Sequence, residues 1–411
     1  MWKRPWNLKE GLCIGGGLFL TGLLLQNTVG KIDWNLLSWP VNIILFVLYV
    51  ILLTGMHLGR RRVYLFNWMS HYTAALSSLL WVGGITVVMG LIRQLPSREQ
   101  VGDPLGFSQM LSSWPFFLLY FWMVSVLGLV LLCAGIPYTW RRLCFWLNHM
   151  GLFLVLSAAT LGSADMQRVN MNCRLMQAEW RATDKQGRML ELPLAIELQN
   201  FTIDEYPPKL MAIDNETGQA LPLGKPQHLL LENGVKEGTL LNWQIEVLQS
   251  IPEAASVATE DTLKFVEFHS LGAAYAVYLA ATHLTTNEVK EGWVSCGSFL
   301  FPYRALRLDA GTSIVMPERE PQRFVSGVKV YTKSQKIIES TIEVNHPLSV
   351  EGWDIYQLSY EEDRGKWSET SIFELVYDPW LPVVYAGIWM LLAGAVCLFI
   401  TAQKRKGETD D

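Results

Sequence analysis

Ile372-Phe373-Glu374-Leu375-Val376 alternates apolar and polar residues, and four residues later Trp380-Leu381-Pro382-Val383-Val384-Tyr385-Ala386-Gly387-Ile388-Trp389-Met390-Leu391-Leu392-Ala393-Gly394-Ala395-Val396-Cys397-Leu398-Phe399-Ile400 opens an apolar run closed by Lys404-Arg405-Lys406. A strand-like pattern of period two gives way to about 20 apolar residues, the length that crosses a bilayer. The basic triplet behind that run is what a cytoplasmic anchor looks like. A polar, strand-rich segment therefore feeds straight into a membrane span.

Working backwards, further apolar stretches lie at about Gly11 to Gln26, Val41 to Met56, Tyr72 to Ile92, Trp114 to Cys133 and Cys144 to Leu161. Half of the 411 residues are apolar, 17% are charged, and the chain holds 17 Trp and 17 Phe, more than a soluble domain of this length carries. The expectation is an α-helical membrane protein of about six transmembrane helices, with a large extracytoplasmic, mainly β domain inserted before the last. The polar remainder falls almost wholly between Ser163 and Pro379.

Orientation follows from the basic residues. Lys3, Arg4 and Lys9 precede the first span, Arg60, Arg61 and Arg62 follow the second, Arg141 and Arg142 follow the fourth, and the Lys404 cluster follows the last. All land on one side, which predicts both termini in the cytoplasm and the long segment outside. The loop from Pro96 to Ser113, with Glu99 and Asp103, falls outside as well. A secretory signal competes for the N-terminus, but no small-x-small cleavage site follows Leu25. No basic patch points to nucleic acid.

The six cysteines form no C-x-x-C pair and no C-x-x-C-H haem attachment motif, so the chain is neither a c-type cytochrome nor a thioredoxin-like enzyme. Cys13, Cys133, Cys144 and Cys397 sit in or beside spans and read as small apolar packing residues. Cys173 and Cys296 lie outside, where a disulfide between them and two free thiols are both open readings.

Residues 163 to 378 read as β because Leu194-Ala195-Ile196-Glu197-Leu198, Trp243-Gln244-Ile245-Glu246-Val247 and Val328-Lys329-Val330-Tyr331 repeat the period of two. Turn formers break these runs at Pro207-Pro208, Asn215 to Gly218, Asn233-Gly234 and Pro317 to Pro321. An antiparallel sandwich or open barrel with one apolar core is expected.

Val344-Asn345-His346-Pro347-Leu348, followed by Gly352-Trp353, Tyr356-Gln357 and Ser359-Tyr360, resembles the signature of the ResB (CcsB) family of cytochrome c assembly proteins. Ser113-Trp114-Pro115-Phe116-Phe117 resembles the start of a ResB helix. Arg141-Arg142 with His149-Met150-Gly151 resembles the family's basic loop and His-x-Gly helix, and Leu192 to Ile196 with Phe201 and Tyr206-Pro207 its first outer strand. ResB proteins have three spans before the outer domain and one after. The resemblance thus divides the chain into an added two-helix hairpin at 1–70, three ResB-like helices at 71–162, the β domain at 163–378, the last span at 379–403 and a tail at 404–411. A packing role is the plain reading of the hairpin, whose Gly11, Gly15, Gly16, Gly17 and Gly22 allow close helix contact.

A histidine within a span is costly and faces a partner or a cofactor, which makes His149 the best candidate ligand; an interfacial histidine bonded to a neighbouring helix is the alternative. The resemblance implies that His149 helps to hold haem through its iron on the way outward. His57 and His71 flank Arg60 to Arg62 at helix ends and read as solvated, or else the arginines and one of the two histidines greet haem propionates. His346 precedes a proline and reads first as turn geometry, second as an outer ligand. His228, His269 and His283 lack ligand spacing and read as surface residues.

No stand-alone catalytic constellation stands out, and the tryptophan-rich segment of the family's partner subunit is missing. The resemblance implies a bacterial inner-membrane factor of System II, an accessory subunit of a haem ligase. It would work with a CcsA/ResC-like protein to carry haem b outward and attach it to apocytochrome c. The alternatives are a b-type, quinol-linked redox subunit, which needs paired span histidines, and a non-haem membrane scaffold.

Overall fold

The computed structural model describes residues 2–95, 103–135, 139–232, 235–258 and 263–407. Glu99, the Asn233-Gly234 turn and the side chains of Lys404, Arg405 and Lys406 lie outside the described part. Two compact units result, Met1–Gln167 with Asp378–Asp411, and Arg168–Tyr377.

The first unit is helical: α1 (Leu8–Val29), α2 (Val41–Gly59), α3 (Tyr64–Met69), α4 (Tyr72–Leu91), α5 (Trp114–Ala134), α6 (Trp140–Gly162) and α7 (Leu381–Gly407). All but the short α3 are long and apolar enough to cross a membrane, which makes six candidate spans among the described residues. Their starts are written locally. Ser113 caps α5, its hydroxyl accepting the Phe116 amide at 3.4 Å ahead of a first-turn Pro115, so the Ser-Trp-Pro-Phe-Phe stretch is a helix-start signal. Thr139 caps α6 in the same way.

Small residues set the helix contacts. A side chain on Gly11 would strike Ser77, one on Gly15 would strike Trp81, and one on Gly22 would lie 2.5 Å from the Pro115 backbone, which brings α1 against both α4 and α5. Gly17 meets nothing, so only part of the glycine run serves this contact. On α2 only Asn42 and Leu53 are buried. Asn42 donates to the Leu161 carbonyl at 3.0 Å and to the Asp165 carboxylate at 2.7 Å, while Leu53 sits where Gly128 leaves room beside Phe153. Between these two residues Tyr49 also reaches α5 and α6, its hydroxyl 3.1 Å from that of Ser125 and its ring 5.1 Å from Phe121 and 6.4 Å from Phe153.

α6 and α7 pair along a seam of small residues. Gly151 faces the Gly387 carbonyl and Leu391, Gly394 faces Asn148, and Gly162 faces the Trp380 ring. Cys144 and Cys397 close the same seam as a disulfide with Cα atoms 5.3 Å apart. They do not act as separate apolar packing residues; the pairing depends on the rotational phase of two helices far apart in sequence.

The second unit is β throughout. An eight-stranded sheet runs, in order, Ile337–Glu343, Pro321–Thr332, Met189–Glu205, Ala178–Asp184, Gln167–Arg174, Thr370–Tyr377, Trp353–Tyr360 and Leu348–Val350. Its two edge strands are consecutive in the chain, joined through a bridge between Glu343 and His346, so the sheet curls round a core that includes Met171, Ile196, Leu198, Phe373 and Leu375. Two smaller sheets, of five and four strands, enclose a separate core around Leu210, Ile245, Leu279 and Ile314, with a third cluster at Ile251, Ala254, Phe265 and Ala276. The single apolar core expected from the alternating runs is thus divided, because the alternation gives a strand's buried face and not the sheet it joins.

Candidate functional site

His149 lies within α6, seven residues after Arg142, or about 10 Å further along the helix axis. The helix has three faces. Asn148, Gly151 and Val155 meet α7, and Trp146, Met150, Phe153 and Leu156 join the helical core. Phe145, His149 and Leu152 fall on the remaining face, where Phe145 and His149 are half-buried and Leu152 is exposed.

The His149 ring stacks on Phe145 with centroids 3.8 Å apart, and its Nδ1 lies 2.9 Å from the Phe145 carbonyl oxygen. Since a carbonyl only accepts, Nδ1 is the donor, and in the neutral tautomer this selects, Nε2 keeps its lone pair. No described residue bonds Nε2. An imidazole held through one nitrogen by a backbone carbonyl, with the other free, has the form of a metal ligand with its supporting bond in place. Among the described residues there is no group of three metal-ligating side chains.

The other histidines differ. Arg60 donates to Nδ1 of His57 at 3.3 Å, and Cys133 lies 3.6 Å from the same nitrogen, which occupies that ring at the end of α2. His71 is the exposed residue that precedes α4, its carbonyl taking the Ala74 and Ala75 amides. His346 is exposed and pairs with Glu343 to close the two-residue turn Val344-Asn345, in which Asn345 has φ +65°. The next turn uses Glu351 at φ +49° and Gly352 at φ +87°, the primed hairpin geometry that favours glycine. Most of the Val344 to Tyr360 signature is thus hairpin chemistry. Trp353 is core, and the buried Gln357 accepts from Ser326 at 2.6 Å and donates to Ser371 at 2.7 Å. Sequence reasoning missed that network, though a glutamine in an alternating apolar strand was its signal.

His269 is exposed and paired with Glu253 at 3.0 Å, which raises the imidazole pKa, and His228 is exposed on a short strand. His283 is half-buried instead, its Nδ1 accepting from Thr286 in a turn.

Cys173 and Cys296 are both free thiols. Cys173 belongs to the core of the eight-stranded sheet and Cys296 packs on that of the smaller sheets, so the bridge between them is not formed. Burial pushes the Cys173 thiol up to about 12 and raises that of Cys296, which keeps both protonated and poor nucleophiles.

Residues 294–370 match the model of the ResB-like family, a stretch that holds Cys296, both hairpin turns and Gln357. No curated protein matches the chain. The family match supports a role in cytochrome c biogenesis.

Proposed function

We propose, from the ResB-like signature of residues 294–370 as premise, that the chain is the accessory half of a cytochrome c haem ligase. With a CcsA/ResC-like subunit it carries haem b across the cytoplasmic membrane and presents it for attachment to the C-x-x-C-H motifs of apocytochromes. The basic clusters support an orientation with both termini inside and the β unit outside.

Haem is cargo here. Nε2 of His149 binds the iron from one side, the Phe145 carbonyl holds the ring in the ligating tautomer, and Phe145 stacks to fix its plane. The α6 face that carries His149 is uncovered by α7 and by the helical core, which supports its use against the partner subunit. The observation that carries the reading is the single hydrogen bond of His149 to Phe145, which leaves Nε2 free.

The test is haem content and absorption spectrum of the protein purified with its CcsA-like partner, native against His149→Ala. Haem that is lost or weakened in the variant, together with a fall in cytochrome c maturation, and a spectrum restored by added imidazole, is the expected result. Haem and maturation that are both indifferent to the change would overturn it and leave a scaffold.

A further inference from the structure

Along the stretch of α2 from Leu45 to Leu52, a cleft of about 330 Å³ opens among α2, α5, α6 and the residues that lead into α2. One wall comes from the N-terminal hairpin, with Trp34, Phe46 and Tyr49; the other from Phe117, Phe121 and Ser157. The rings are arranged as a continuous aromatic lining: Trp34 to Phe117 at 6.1 Å, Phe117 to Phe121 at 6.0 Å, and Tyr49 to Phe121 at 5.1 Å. None of the described lining residues is charged.

The polar groups on these walls are spoken for, with one exception. The Tyr49 hydroxyl pairs with Ser125 at 3.1 Å, the Tyr120 hydroxyl donates to the Leu156 carbonyl at 2.9 Å, and Thr160 bonds back to Leu156 at 2.9 Å. Ser157 is 8% exposed, and its hydroxyl has no partner. A buried hydroxyl in an apolar span costs free energy when it is left unpaired, and a serine on a helix ordinarily avoids this by bonding back one turn.

We infer that this cleft is a binding site for a neutral, lipid-soluble ring compound bearing a carbonyl, the chemistry of a membrane quinone. The ring stacks among Phe46, Tyr49 and Phe121, the carbonyl accepts from Ser157 once its covered hydroxyl rotates toward the cleft, and an alkyl tail leaves through the open side into lipid. The lack of any charged group disfavours haem, whose propionates need cations, and a phospholipid headgroup. A saturated acyl chain fits the apolar walls but leaves Ser157 unpaired. The site also gives the N-terminal hairpin a task, since without α2 the cleft has no second wall.

The experiment uses the full chain in lipid nanodiscs with a photoreactive azido-ubiquinone and peptide mapping, decylubiquinone as competitor, and the variants Ser157→Ala and Val124→Phe. Saturable labelling of α2, α5 or α6 is expected. Decylubiquinone should compete roughly two- to tenfold more weakly in S157A, as for the loss of one hydrogen bond. Val124 lines the cleft and is 5% exposed, so V124F should fill it and abolish labelling. Labelling that does not saturate, that is unchanged in S157A, that survives in V124F, or that oleic acid competes as well as decylubiquinone, would overturn the inference; the last of these makes the occupant an acyl chain. If V124F fails to elute as a single species, S157A decides. Haem content does not enter, so this result stands apart from the haem reading.

Discussion

The Asn42 side-chain amide donates to the Asp165 carboxylate at 2.7 Å, and the same carboxylate takes the Trp380 indole N–H at 2.8 Å and the Trp39 backbone amide at 2.6 Å. One acidic residue therefore ties the start of α2, the end of α6 and the start of α7. Burial works to raise its pKa, but the donors from Trp380, Trp39 and Asn42 outweigh it and hold the carboxyl below the usual carboxylate range.

Asp165→Ala should therefore lower thermal stability in detergent by about 1–3 kcal/mol, since it strands three donors at once. The sign of the pH effect follows. The folded pKa is depressed, so the stabilisation is complete above about pH 4, the unfolded value, and is lost as pH falls through the folded value. Melting curves of the native chain should lose this component on acidification, and those of Asp165→Asn should not.

A methyl group at Gly151 would lie 2.6 Å from the Gly387 carbonyl oxygen and 2.9 Å from the Leu391 amide. Gly151→Ala should force α6 from α7 and cost about 1–3 kcal/mol. His149 is two residues away, so under the proposed haem role haem retention should fall with it. A variant that melts and holds haem like the native chain would show that the seam is looser than described.

Gln357→Leu leaves the buried Ser326 and Ser371 hydroxyls with only each other, 2.8 Å apart, and should cost about 1–3 kcal/mol. His346→Ala removes an exposed turn side chain and should stay within about 0.5 kcal/mol. Chemical denaturation separates the two, and unimpaired cytochrome c maturation in H346A would confirm a turn residue and not a ligand.

Cysteine chemistry gives a further check. Alkylation after unfolding without reductant should modify Cys13, Cys133, Cys173 and Cys296 and spare Cys144 and Cys397, which become reactive only on reduction. In the proposed topology that pair lies on the cytoplasmic side, where thiols are kept reduced. Trapping in intact cells against purified protein, read by peptide mass, reports where the bond forms.

The spans were legible because about 20 consecutive apolar residues have few other readings. The Val328 to Tyr331 and Ile372 to Val376 strands were legible because alternation marks a half-buried surface. The Asp165 tie, the Cys144 to Cys397 bond and the division of the β core were not. Each depends on which faces of distant segments meet, and composition carries no record of that. The role of His149 was half legible: a histidine in a span invites a partner, but only the 2.9 Å contact with the Phe145 carbonyl says which nitrogen is free.

The strand that follows α6, Gln167–Arg174, and the strand that precedes α7, Thr370–Tyr377, are neighbours in one sheet. The Asp165 to Trp380 bond brings the same two chain positions together on the helical side. The whole β module is therefore a cassette spliced between two points that already touch. A short loop could bridge them in its place, and a different cassette could be carried there, so the helical unit and the β unit are free to diversify at separate rates.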